Sequence, residues 1–178
     1  VWIFAEQRRG QLHSVSLELL GKGRELAQII RGRLCAVLCG QATDSMSAEL
    51  LAHGAEIVYV FDHPGLATYK TDVYSSILSP FIGDRRPAIF LIGATSVGRE
   101  LAPTLAGKLN TGLTADCTSL DIESDTGLLI QTRPAFGGNI MASIKCAQRR
   151  PQMATVRPKV LPLPRQVSNL SGRIERIT

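Results

Sequence analysis

Long hydrophobic runs are missing from this 178-residue chain, and no stretch approaches the roughly 18 consecutive apolar residues that a membrane-crossing helix needs. The opening residues Val1-Trp2-Ile3-Phe4-Ala5 are apolar, but the run is too short for a secretory signal and has no basic flank. The expectation is a soluble, intracellular protein without membrane insertion. Histidine is scarce as well. His13, His53 and His63 share no metal-ligand spacing and no G-x-S-x-G elbow occurs, so neither a metal nor a catalytic residue is assigned.

Aromatic side chains are equally sparse, at 5% of the chain, and none lies between Lys145 and Thr178. That segment holds eight Lys or Arg against one acid, Glu175, so the net charge of +5 is a property of the C-terminal part. A basic segment with no rings for base stacking and no recognisable motif argues against nucleic acid. Guanidinium groups meeting acids on another domain or subunit suit it better. Four cysteines are present. Cys35 and Cys39 lie an even number of residues apart in an apolar run, which points to buried thiols on one face of a strand.

What the chain has is rhythm. At 44% apolar residues it suits one globular domain with a sizeable core. Val1 to Ala5, Cys35 to Cys39, Ile57 to Phe61 and Ala88 to Ile92 are short continuous apolar runs, as expected of strands covered on both faces. Between the first two, Leu19, Leu26 and Ile30 share one side of a helix that Ser14 or Ser16 would cap. Asp44 to His53 reads as a helix stopped by Gly54, and Tyr69 to Leu78 as one stopped by Pro80. Val97, Leu101, Leu105 and Leu109 recur every four residues behind a Thr95 or Ser96 cap. A βαβαβαβα order with right-handed crossovers gives an α/β fold, a three-layer α/β/α sandwich around a mainly parallel sheet.

Beyond Asn110 the rhythm changes. Thr111 to Ile122, Leu128 to Pro134, Ile140 to Cys146 and Gln152 to Val156 read as strands joined by short turns, so the domain ends in a β-rich segment. The expected division is an α/β domain over 1–160 and, over 161–178, a linker followed by Arg173 to Ile177 as the start of a strand belonging to something further on.

Few local patterns carry chemistry. Gly93-Ala94-Thr95-Ser96-Val97-Gly98-Arg99-Glu100 joins a strand to a helix, where phosphate loops sit, yet Arg99 and Glu100 stand where a P-loop needs Lys and Ser or Thr. A structural loop is the plainer reading, with adenine-nucleotide binding as the alternative. Asp116 beside Cys117 imitates a nucleophile with its base. A buried thiol, with the carboxylate bonded to the nearby turn, accounts for the pair more simply. The densest feature is Gln131-Thr132-Arg133-Pro134-Ala135-Phe136-Gly137-Gly138-Asn139-Ile140-Met141-Ala142, echoed by Arg150-Pro151-Gln152-Met153-Ala154-Thr155-Val156-Arg157-Pro158. Pro134 biases Arg133 towards an extended conformation, and Gly137-Gly138 permits a sharp reversal or close approach of a planar group. Arg133 then either pairs with an acid across a subunit boundary or presents its guanidinium to a ligand.

These blocks, together with Ile3-Phe4-Ala5-Glu6, Leu17-Glu18-Leu19-Leu20, Gly98-Arg99-Glu100-Leu101-Ala102-Pro103 and Thr111-Gly112-Leu113-Thr114-Ala115-Asp116-Cys117, give a resemblance over essentially the whole chain. It resembles the N-terminal domain of the alpha subunit of electron transfer flavoprotein. The resemblance implies a fold of the adenine-nucleotide-binding, alpha-hydrolase-like type. It also implies a heterodimer with a beta subunit that carries electrons from an acyl-CoA or related dehydrogenase, as in fatty acid oxidation, to a quinone oxidoreductase or another acceptor. FAD would be held by a second domain for which this chain has no residues, so this stretch would bind none itself. Arg133 would approach a flavin held by the beta subunit, with Thr132, Pro134, Phe136, Gly137, Gly138 and Asn139 at the subunit interface. An electron-bifurcating, NADH-dependent version of the same flavoprotein and a stand-alone adenine-nucleotide module are the alternatives.

Overall fold

The sharpest constraint on the fold is the first strand, whose side chains alternate between two separate cores. A computed structural model describes residues 1–138, 140–166 and 172–178, the Phe136 side chain excepted. In chain order the elements are β1 (Trp2–Ala5), β2 (Gln7–Arg8), β3 (Gln11–Leu12), α1 (Ser14–Ile29), β4 (Cys35–Gly40), α2 (Asp44–Ala52), β5 (Ile57–Asp62), α3 (Thr71–Arg85), β6 (Ile89–Gly93) and α4 (Ser96–Lys108). β7 (Leu113–Cys117), β8 (Ser119–Ile122), β9 (Leu129–Ala135), β10 (Ile140–Ile144), β11 (Gln152–Val156) and β12 (Arg173–Arg176) follow.

Seven strands form one sheet in the order β12-β5-β4-β1-β6-β11-β7, every neighbouring pair parallel. Val1, Ile3 and Ala5 face a core completed by Leu19, Leu20 and Leu26 of α1 and Met46 and Leu50 of α2. Trp2 and Phe4 face the other, built with Tyr74, Leu78 and Ile82 of α3 and Leu101 and Leu105 of α4. Two helices therefore cover each face, and the three-layer α/β/α sandwich is what the sequence leads one to expect. A separate antiparallel sheet, β10-β9-β8, packs Leu120 and Leu129 into the α1 side. Among the described residues no helix is long and apolar enough to cross a membrane.

Several local expectations are corrected. The cap of α1 is His13, whose Nδ1 accepts from the Val15 N–H at 3.2 Å, rather than Ser14 or Ser16. Helix α3 does not stop at Pro80 but runs to Arg85 and ends at Arg86 in the left-handed region. Proline costs an internal helix one hydrogen bond, and here Leu78 and Ile82, both fully buried, hold the turns on either side of it to the sheet. The segment Thr111 to Ile122 is two strands broken at Thr118, whose N–H donates to the Thr132 carbonyl. β11, in the β-rich closing segment, inserts between β6 and β7 in the main sheet.

The strand expected to lie outside the domain is the edge of its sheet. β12 pairs with β5 from Arg173↔Ile57 to Arg176↔Val60. Gly172 lets that strand approach, since a Cβ there would lie 2.7 Å from the Ala55 carbonyl oxygen, and Arg176 pairs with Asp44 and Asp62. Before it, Leu161 packs on the core and Pro164 crosses α1 over Gly21.

Among the described glycines the closest approach to backbone is at Gly98, where a Cβ would sit 1.7 Å from the Gly93 carbonyl oxygen. Replacing it by alanine should cost on the order of 2–4 kcal/mol, because the neighbour is backbone and cannot move aside cheaply. Gly107, three turns along α4 with open space around its Cβ position, should instead gain about 0.5–1 kcal/mol as alanine. Urea unfolding of the two variants checks this, and equal midpoints would contradict the packing account.

Candidate functional site

Chain order reverses beside β1: the strands run outward from β1 through β4 and β5, and then β6 starts again on its other side. At such a switch point the carboxyl ends of the strands part and leave a crevice. Here it is an open cleft of about 960 Å³ whose lining includes Arg8, Arg9, His13, Tyr69, Ser96 and Glu100. The Gly93–Gly98 loop stands beside it, and its chemistry is already satisfied internally. Thr95 Oγ1 accepts from the Gly98 N–H at 3.1 Å, capping α4. The same hydroxyl donates to Glu6 Oε2 at 2.5 Å. Glu6 is 2% exposed, and among the described residues its Oε1 has no hydrogen-bond partner. The buried Glu6 side chain thus occupies the cap of α4, where a phosphate would otherwise be favoured. Gly93 is explained by Val15, whose Cγ1 would lie 2.4 Å from a Cβ there. Both glycines are accounted for by packing.

A different cluster forms at the same end of the sheet, around β7, β9 and β11. The register of β11 against β7 shifts between Ala154 and Val156. At that irregularity Asp116 takes a φ of 62°, and its N–H donates to Thr155 Oγ1 at 2.9 Å. Short polar side chains tolerate this left-handed backbone, which turns the carboxylate outward. Arg157 grips it with both arms of its fork, Nε at 3.2 Å and Nη2 at 2.7 Å, and Arg99 from the first turn of α4 lies 3.9 Å away. The Arg157 hydrogen bond holds the Asp116 carboxyl below its ordinary value of 3.8, and the Arg157, Arg99 and Arg133 charges act in the same direction against partial desolvation. The carboxylate therefore does not bond the local turn, as the sequence suggests. Cys117 beside it is fully buried, and burial pushes its thiol up to about 11, so the two do not act as nucleophile and base.

Arg133 lies in β9 opposite Ala142 of β10, extended as Pro134 requires. Its Nε donates only to the Pro134 carbonyl at 3.3 Å, and among the described residues it makes no ion pair. Thr132 Oγ1 lies 3.1 Å from Ser143 Oγ across the pair, and Pro134 faces Met141. Gly137 and Gly138, with φ of 74° and 94°, turn the chain in the open, with nothing within 4 Å of either Cβ position. Asn139 and the Phe136 side chain lie outside the described residues. The structure thus brings Arg99 and Arg157 to Asp116, and the Arg133 charge acts on the same carboxyl. Sequence reasoning assigned no role to Arg99 or Arg157. The Arg-Pro repeat at Arg157-Pro158 was the available signal, whereas the backbone kink at Asp116 left none.

Elsewhere the remaining titratable groups are structural. Cys35 and Cys39 share one buried face of β4 and burial raises both thiols, Cys35 to about 11. His13 caps α1, His53 ends α2 and His63 accepts from the Gly65 N–H. Among the described residues no group of His, Cys, Asp and Glu could hold a metal.

Comparison with known proteins bears on this cationic edge. The electron transfer flavoprotein domain model matches residues 1–178. The chain belongs to the electron transfer flavoprotein family. It is 52% identical to the electron transfer flavoprotein subunit alpha of Clostridium acetobutylicum over 99% of this chain and 53% of that protein. It is 45% identical to the alpha subunit of Megasphaera elsdenii, covering 98% of this chain and 52% of that one. The LctC subunit of the lactate dehydrogenase (NAD(+),ferredoxin) of Acetobacterium woodii is 43% identical, over 98% and 42%. The chain spans about half the length of the curated relatives it matches.

Because the folded-state value of Asp116 is depressed, its ion pairs contribute stability above pH 3.8 that is lost as the pH falls through that lower value. Carboxyl-carbon NMR should give Asp116 a midpoint below 3.8, moving upward in Arg157→Gln. A midpoint that does not respond to Arg157→Gln would contradict the fork as the main cause.

Proposed function

We propose that this chain is the N-terminal domain of an electron-carrier subunit, paired through its β9–β10 edge with a beta subunit whose flavin Arg133 approaches. The observation that carries the reading is a guanidinium with no carboxylate partner among the described residues, held on a paired strand beside an exposed glycine turn, in a chain of the electron transfer flavoprotein family. The residues fit such a group: Arg133 offers a planar cation, and the open space at Gly137 and Gly138 admits a ring edge close to backbone. A bound flavin supplies the reversible one- and two-electron chemistry.

What this chain contributes is fixed charge. Arg133 is set by strand pairing before any electron arrives, so it stabilises added negative charge without reorganising. A unit charge about 4 Å away at an effective dielectric near 20 is worth on the order of 4 kcal/mol. In this reading FAD of the full-length protein is held outside this domain. Electrons pass from an acyl-CoA or related dehydrogenase to a quinone oxidoreductase or another acceptor, in the cytoplasm or the mitochondrial matrix. The bifurcating, NADH-dependent alternative is supported by the name of the Acetobacterium woodii relative, which includes both NAD(+) and ferredoxin. The stand-alone nucleotide module is disfavoured by Glu6 at the cap of α4.

In the full-length heterodimer, Arg133→Ala should leave flavin content unchanged and make a beta-subunit flavin harder to reduce, on the order of tens of millivolts. Spectroelectrochemical titration reads the shift, and an unchanged potential would reduce Arg133 to a packing role.

A further inference from the structure

At the end of the sheet away from the switch-point crevice, the amino ends of β6 and β11 lie side by side, with Gln152 opposite Ile89. Beyond helices α3 and α4 the chain passes through left-handed backbone, at Arg86 with a φ of 47° and at Asn110 with 50°. Between these ends lies a cavity of about 380 Å³, the volume of a small-ligand site. Ile82, Leu109 and Pro151 give it apolar walls, and Arg86, Arg149 and Arg150 give it three guanidiniums. Among the described residues no carboxylate lines it, and none of the three arginines makes an ion pair.

Cations beside helix C-termini commonly serve the last carbonyls. Here those carbonyls have backbone partners: the Arg86 N–H donates to Ile82 at 2.8 Å, and the Leu109 and Asn110 N–H groups to Leu105 and Gly107 at 2.9 and 3.2 Å. The arginine side chains are left for another role. Arg150 is tied in place, its Nη1 donating to the carbonyl oxygens of Arg149 at 2.7 Å, Cys146 at 3.2 Å and Ala147 at 3.4 Å. Its Nε and Nη2 have no partner among the described residues, so one guanidinium is set before any ligand arrives. We infer that this cavity binds a small ligand bearing a diphosphate group. Planar guanidinium forks take phosphate oxygens in pairs. One phosphate brings only about −1.5 to −2 near neutral pH, so two are needed to balance three arginines. The amides of Asn110 and Gln148, which also line the cavity, add neutral donors. The site is distinct from β9 and Arg133, and the inference does not rest on the proposed subunit role.

The test titrates the full-length protein with inorganic pyrophosphate at low salt by calorimetry. Saturable binding is expected, weakened about tenfold or more in Arg149→Gln and further in Arg86→Gln with Arg149→Gln. Neither side chain donates a hydrogen bond among the described residues, so the thermal midpoint of the ligand-free variants should match that of the unsubstituted protein. Arg8→Gln with Arg9→Gln removes the same charge at the switch-point crevice and should leave binding within about twofold. Orthophosphate should bind about tenfold or more weakly than pyrophosphate. ADP separates the sources of the group: tighter binding than pyrophosphate assigns a diphosphate within a larger molecule, weaker binding a free diphosphate, and both uphold the site if the arginine variants lose it. Absence of saturable binding, equal affinity in the Arg86 and Arg149 variants, or orthophosphate binding as tightly as pyrophosphate would overturn the inference, while the proposed function stands.

Discussion

The alternation of five residues, Val1 to Ala5, between two cores is the constraint on which the other elements depend. Ile3 and Phe4 are essentially removed from water, on opposite faces of one strand that is paired along both edges. Each such side chain contributes about 1.5–3 kcal/mol when fully buried. The second core is fixed further by rings, with Trp2 at 4.8 Å from Tyr59 and 5.3 Å from Phe81 between centroids. A shift of β1 by one residue would exchange the two sets, so its register is set firmly. Once β1 is fixed, so is the place where the chain reverses direction across the sheet, and Glu6 follows it directly, buried against the cap of α4.

That crevice and the arginine cluster share the carboxyl end of the sheet but have opposite characters. Beside the crevice the cap of α4 is already taken by the buried Glu6 side chain. At the outer strands it supplies an excess of cations around Asp116. A fold that binds anions at its switch point in many settings here has that point occupied by its own side chain, and the cationic groups are displaced towards β7, β9 and β11. The electrostatic weight at this end of the sheet therefore falls on the outer strands.

Much of the main sheet was legible because parallel strands buried on both faces read as continuous apolar runs, as β1, β4, β5 and β6 do. The four helices were legible from spacing, but their ends depended on tertiary packing: burial of Leu78 and Ile82 carries α3 through Pro80, and a histidine rather than a serine caps α1. β11 and β12 were recognisable as strands, yet their place in the sheet depends on pairing between residues far apart in sequence, on which local pattern is silent. In the site, Arg133 announced itself through the Arg-Pro and Gly-Gly punctuation. Asp116 did not, because its role follows from a bulge and a left-handed backbone that no neighbouring residue demands. Arg99 stands in the sequence where a P-loop would have its lysine, and only the fold turns it towards Asp116.

The account centres on one claim, that the β9–β10 edge, Arg133 included, is covered in the working protein. Hydrogen–deuterium exchange of the full-length subunit, alone and with its beta subunit, tests this most directly. Protection on complex formation should concentrate at residues 131–144, and the cleft beside Gly93 should exchange as before. Protection confined to the cleft or to the β12 edge, with 131–144 unchanged, would contradict it.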